Sequence, residues 1–182
     1  MEKEKIGEIL IETIKVNDLL CSLPSEKGVV KEKITKIPTL ERNYYRDVSQ
    51  MLKERYSILS YWKNATHGNW LSIEEMEMLW LDNSTPYINQ LKNQIKAFSE
   101  NWSNDASSLF KNNRISVFAI DDNGTEHIYL IWFDDVEEPE FWVYDSNGMA
   151  RYKNIKTYLE AYLFDDLSAY IPPVTNINKL KK

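Results

Sequence analysis

The stretch Glu126–Gly148 reads EHIYLIWFDDVEEPEFWVYDSNG, and it decides the fold. Its first run, EHIYLIWF (126–133), alternates apolar residues on both sides: Ile128, Leu130 and Trp132 on one, Tyr129, Ile131 and Phe133 on the other. A strand apolar on both faces is predicted to lie inside a sheet and to be covered on both sides. FWVYD (141–145) predicts a further strand, closed by Ser-Asn-Gly, and DDVEEPE between them a longer connection splayed by Pro139. Upstream, RISVFAI (114–120) predicts a strand, and DDNG a tight turn, because Asn-Gly supplies the positive φ a hairpin needs. The three runs form an antiparallel meander.

Outside the meander the period is helical. Residues 3–20 predict an amphipathic helix, 22–38 a connector, and Thr39 to Trp62 one long helix, with Thr39 as its N-cap after Pro38 and Leu40, Tyr44, Val48, Met51, Leu52 and Leu59 at helical spacing. NATHGNW (64–70) predicts a turn. LSIEEM carries a capping box in which Ser72 and Glu75 satisfy each other's backbone N–H groups. STPYINQLKNQIKAF predicts another helix, capped by Thr85 with Pro86 at its first position, and 99–113 a loop. After the meander, Ile155, Tyr158, Leu159, Tyr162 and Leu163 mark a closing helix. Helices segregated from an antiparallel sheet predict an α+β fold. The expected organisation is an N-terminal helix and connector (1–38) belonging to the same domain as the α+β body (39–170), with a loose tail (171–182).

A chain of 182 residues buries enough surface to form one domain unaided. Its single cysteine, Cys21, allows no internal disulfide and suits a reducing cytosol. The N-terminal stretch is interrupted by Glu8, Glu12 and Lys15 and does not read as a secretion signal. No run approaches a membrane span. These features predict a cytoplasmic location without membrane association.

Net charge is −6, unevenly placed: residues 115–166 carry 3 basic and 12 acidic side chains. That concentration argues against nucleic acid, whose phosphates repel carboxylates, and fits either a basic partner or a merely well-solvated surface. The five glycines are too scattered for a phosphate-cradling loop. His67, expected in a solvated turn, and His127, expected at a strand start, lie in different elements and offer no shared base. Asp134, Asp135, Glu137 and Glu138 could hold a hard cation, but all sit in one connection, and a divalent site draws ligands from several elements. A metal-dependent hydrolase is therefore the lesser reading. No catalytic residue, metal or cofactor is expected. Aromatic residues emerging beside the acids would make an anchor with an acidic rim, the composition of a protein interface.

The string FAIDDNGTEHIYLIWFDD, followed by EFWVYDSNGMARYKNIKTYLEAYL, resembles the SUKH superfamily, the Smi/Knr type of domain. The elements that carry the likeness are Val117–Ile120, the turn Asp121–Gly124, Leu130–Trp132, Trp142–Tyr144 and Tyr158–Leu163, with Ser60–Trp80 upstream. The resemblance covers about residues 40–165 and lies in the order of elements more than in any one motif. It implies a non-enzymatic protein. Bacterial members look like immunity proteins that bind and neutralise toxins, often nucleases, and fungal relatives act as intracellular regulatory adaptors. The expected partner-binding residues are Asp121, Asp122, Asp134, Asp135, Glu137, Glu138 and Glu140, with Trp132 and Trp142 as aromatic anchors.

Overall fold

The computed structural model describes residues 6–81 and 111–166, with positions 89, 92 and 93 between them. Helix α1 (Gly7–Leu20) is followed by β1 (Glu26–Lys27), β2 (Lys36–Pro38), β3 (Tyr45–Asp47), α2 (Gln50–Ile58), β4 (Trp62–Lys63), β5 (Asn69–Trp70) and α3 (Ile73–Met78). After a 3-10 turn at Asn112–Arg114 come β6 (Ile115–Ile120), β7 (His127–Ile131), β8 (Glu140–Asp145), β9 (Gly148–Tyr152) and α4 (Ile155–Phe164). The main sheet has seven strands in the order β1-β4-β5-β6-β7-β8-β9, every pair antiparallel, and β2-β3 forms a separate hairpin. The fold is α+β.

β7 is interior, paired with β6 and β8, and all five of its residues are buried. Its neighbours bring Phe118, Phe141 and Trp70 into one aromatic layer: Phe118 lies 4.7 Å from Trp70 and 5.0 Å from Phe141 between ring centroids. α4 packs on this layer through Tyr158, whose ring stacks on Phe141 at 5.7 Å. α1 and α2 pack on α4 and on each other. Burying large rings this way removes 150–250 Å² apiece from water, a dominant contribution to the core.

The long helix expected over residues 39–62 is absent. Its first half is the turn and second strand of the β2–β3 hairpin, turned at Asn43 with φ 60°. Thr39 closes that hairpin, its hydroxyl donating to the Tyr44 carbonyl at 2.9 Å, and does not cap a helix. The helix begins instead at Ser49, whose side chain accepts from Leu52 N–H. Leu40, Tyr44 and Val48 fit a helical period by coincidence, and the left-handed tolerance of Asn43 is the turn signal that overrides it. The connector 22–38 likewise contributes two short strands, and the hairpin partner β9 follows the Ser-Asn-Gly turn where no strand was expected. The Ser72–Glu75 capping box forms as read. The helix expected from Thr85, most of the 99–113 loop and the 171–182 tail lie outside the described residues.

Candidate functional site

The antiparallel order places alternate connections at opposite ends of the sheet. The β4–β5, β6–β7 and β8–β9 turns share one end; the 132–139 connection lies at the other, with the start of α2. β7 separates Asp121 and Asp122 from Asp134 by its five residues, roughly 17 Å at about 3.3 Å per residue. The nine residues expected to bind a partner are therefore not one patch.

At the 132–139 end most of the expected carboxylates serve the fold. Glu140 accepts from Arg151 Nε at 2.6 Å and Nη2 at 2.8 Å, and from Trp142 Nε1 at 3.0 Å. Arg151 sits on β9 opposite Trp142, so this is a cross-strand bond. Glu138 caps α2, accepting from the Ser49 hydroxyl at 2.6 Å and the Met51 N–H at 2.9 Å. Burial pushes its carboxyl up despite those bonds. Asp134 is held by Arg46 and Arg114, which offset its charge. Asp135 and Glu137 are exposed, flanking Val136, an exposed apolar side chain. Trp132 is in the core, 5% exposed, donating to the Ser116 hydroxyl at 3.0 Å, and presents no surface to a partner. Trp142 is half-buried and bonded to Glu140.

The turn end gathers more acid. Asp121 organises the β6–β7 turn, accepting from Thr125 N–H and hydroxyl, each at 2.7 Å, and Glu126 N–H at 3.1 Å. Burial alone would raise its carboxyl; the hydrogen bonds from Thr125 and from the Glu126, Thr125 and Gly124 backbone outweigh it and hold the carboxyl below its ordinary range. Asp122 accepts from Asn69 Nδ2 at 2.9 Å, and Glu126 from Gly68 N–H at 2.9 Å, so the β6–β7 turn is bolted to the β4–β5 turn. Asp145 closes β8, with its carboxylate 3.8 Å from His67 Nε2. His67 Nδ1 lies 2.7 Å from the Tyr158 hydroxyl, which shares a 2.5 Å hydrogen bond with Thr66. The His67 ring also meets Tyr162, 6.1 Å between centroids. α4 thus runs to this same end, and its last turn leads into exposed Asp165 and Asp166.

One expectation about histidine changes, and the other holds, His127 being the first residue of β7. His67 is not a solvated turn residue: its side chain is 21% exposed and ties α4 to two turns. His127 is interior, 2% exposed, its ring nitrogens meeting the Tyr129 hydroxyl at 2.8 Å and the Gly124 carbonyl at 3.0 Å. Burial lowers the pKa of both. Among the described residues, no group of three or more His, Cys, Asp or Glu side chains is placed to hold a metal ion.

Sequence reasoning passed over Glu126, Asp145, Asp165 and Asp166. Their spacing in the chain is wide, and only the up-and-down order of β6 to α4 unites them. The signal was available in the turn positions of a meander, where every second connection shares an end.

Comparison with protein-family models, with curated proteins and with solved structures gives no match. The likeness to the SUKH superfamily rests on the sequence. No helix among the described residues is long and apolar enough to cross a membrane.

Proposed function

We propose that this chain is a non-enzymatic, cytoplasmic binding protein of the immunity type, which neutralises a basic toxin domain, a nuclease in the favoured case, by covering its working surface. The observation that carries this reading is the collection of Asp122, Glu126, Asp145, Asp165 and Asp166 at one end of a sheet whose turns are cross-bonded. Nucleases bind polyanions and present basic surfaces. A rigid field of opposite sign speeds encounter and costs little reorganisation on docking. His67, 3.8 Å from the Asp145 carboxylate, and Tyr162 against it are half-buried and supply contact area beside the charge.

α4 adds an energetic argument. A helix C-terminus carries partial negative charge and is stabilised by cations. Here the last turn has no basic residue and is followed by two aspartates, Asp165 adopting left-handed φ 51°. That arrangement gives up stability for negative potential, which fits a surface selected for a basic partner. Asp135, Val136 and Glu137 at the opposite end form a smaller, secondary surface.

The reading is tested by capturing the tagged chain's partner from its native cell, then measuring association with the purified partner across ionic strength. An acidic docking end requires an on-rate that falls steeply with salt and falls again when Asp165 and Asp166 become Asn. An on-rate indifferent to both salt and substitution overturns it.

A further inference from the structure

At the opposite edge of the sheet from β9, a cleft of about 520 Å³ opens beneath residues 27–34, between that segment, α2 and the start of α3. Val30, Ile34, Ile73, Tyr56 and Tyr61 give it an apolar and aromatic wall, and Lys27, Lys31, Glu32 and Glu74 line it as well, two charges of each sign. The size is ordinary for a small-molecule site. Tyr56 also lines a second cleft on the other side of the same segment, so its ring runs beneath the overhanging chain.

The polar groups at and behind the Tyr56 wall of this cleft are unbalanced, Arg55 lying behind that ring among Trp70 and Phe118 and not in the lining itself. Tyr56 is 3% exposed and its hydroxyl has no hydrogen-bond partner among the described residues. The Arg55 guanidinium stacks on the Tyr56 ring, 3.9 Å from its centroid, and is fully buried. Its Nη1 donates to the Leu59 and Ser60 carbonyls, at 3.1 and 3.0 Å, but Nε and Nη2 have no partner among the described residues. No carboxylate among the described residues bonds it. Buried polar groups are normally satisfied, and a buried cation is normally paired. Here the unsatisfied groups are all able to donate, beside a positive charge. What is missing is an acceptor, and an anionic one answers both deficits.

We propose that this cleft binds a small aromatic carboxylate, its ring against Tyr61, Ile34 and Ile73 and its carboxylate taking the Tyr56 hydroxyl hydrogen within the field of Arg55. The overhanging segment is compatible with entry. Val29–Ile34 belongs to no strand or helix, and Gly28 fixes only its start, through Gly28 N–H to the Tyr61 carbonyl and Ser60 N–H to the Gly28 carbonyl, each at 3.0 Å. The site is separate from the acidic turn end, so either reading survives failure of the other.

The test titrates phenylacetate, and 2-phenylethanol as its uncharged counterpart, into the full chain, following methyl and aromatic shifts by NMR, with Tyr56→Phe alongside. Phenylacetate should shift Val29, Val30 and Ile34, and 2-phenylethanol should bind at least about tenfold more weakly. Tyr56→Phe should melt no lower than wild type, since it removes an unpaired buried hydroxyl, yet lose about tenfold in phenylacetate affinity, the worth of one charge-assisted hydrogen bond. No saturable shift at these residues, equal binding of the two probes, or unchanged affinity in Tyr56→Phe would each overturn the assignment. So would a Tyr56→Phe protein markedly less stable than wild type, because the hydroxyl would then have an internal partner.

Discussion

Replacing Glu140 by Ala separates two readings of the acidic stretch 134–140. The Glu140 side chain is 15% exposed and the Arg151 side chain 7%, and the carboxylate takes two of the guanidinium's donors. Among the described residues Arg151 Nη1 has no partner. Truncating Glu140 therefore leaves a buried guanidinium without the carboxylate that pairs it and removes the Glu140 acceptor from Trp142 Nε1 as well. Breaking a buried pair from one side costs about 3–5 kcal/mol. A chain of this size loses about 2–4 °C of melting temperature per kcal/mol, so Glu140→Ala should melt about 6–20 °C lower than wild type. The double variant Glu140→Leu with Arg151→Met should recover most of the loss, because a buried pair replaced by apolar groups of similar volume is near neutral. Glu137→Lys, three residues away but exposed, should change stability by less than about 0.5 kcal/mol. Thermal unfolding of the four proteins followed by circular dichroism reads all of this. A Glu140→Ala midpoint within about 2 °C of wild type, less than one kcal/mol on the same scale, would refute the pairing and return Glu140 to the surface.

Gly68→Ala should destabilise strongly: Gly68 has φ +74°, and a Cβ there would stand 2.6 Å from Asp121 N and 2.7 Å from Ile120 C, both backbone atoms that cannot turn aside; denaturant midpoints check it. Unfolding free energy should fall between pH 7 and pH 5. Burial depresses the pKa of His67 and His127 below 6.5 in the folded state, so the unfolded chain takes up protons first as pH drops. The stabilisation is present above 6.5 and is lost as pH falls through the folded values, with a slope of up to about 1.4 kcal/mol per pH unit for each histidine. His67→Gln should flatten that slope, and a pH-independent stability in wild type would contradict the burial of both rings. Asp165→Asn with Asp166→Asn should raise stability by about 0.3–1 kcal/mol for each charge removed from the helix C-terminus, measured by urea unfolding, while slowing partner association.

The parts of this fold legible in sequence are those where local pattern and tertiary role coincide. β7 announces itself by apolar residues on both faces, α4 by its regular stripe, and α3 by the Ser72–Glu75 box. The β2–β3 hairpin was hidden because Leu40, Tyr44 and Val48 satisfy a helical period, and the one contrary signal was the single residue Asn43. β9 (Gly148–Tyr152) was hidden for a different reason. It is an edge strand, only Arg151 in it is buried, and an edge needs little apolar alternation. Losing β9 also lost the Glu140–Arg151 pair, whose members meet only through the β8–β9 register. The acidic site was half legible: the charge excess in 115–166 is plain from composition, but its division between two ends of the sheet depends on strand order. A run of carboxylates close in sequence looked like the surface, while carboxylates far apart in sequence make the larger one.

Cross-linking mass spectrometry of the captured complex tests the central claim most directly. Docking at the turn end predicts that partner lysines link to Asp122, Glu126, Asp145, Asp165 and Asp166 through a carboxylate-reactive linker. Links confined to Asp135 and Glu137, or to carboxylates remote from both ends, would contradict it.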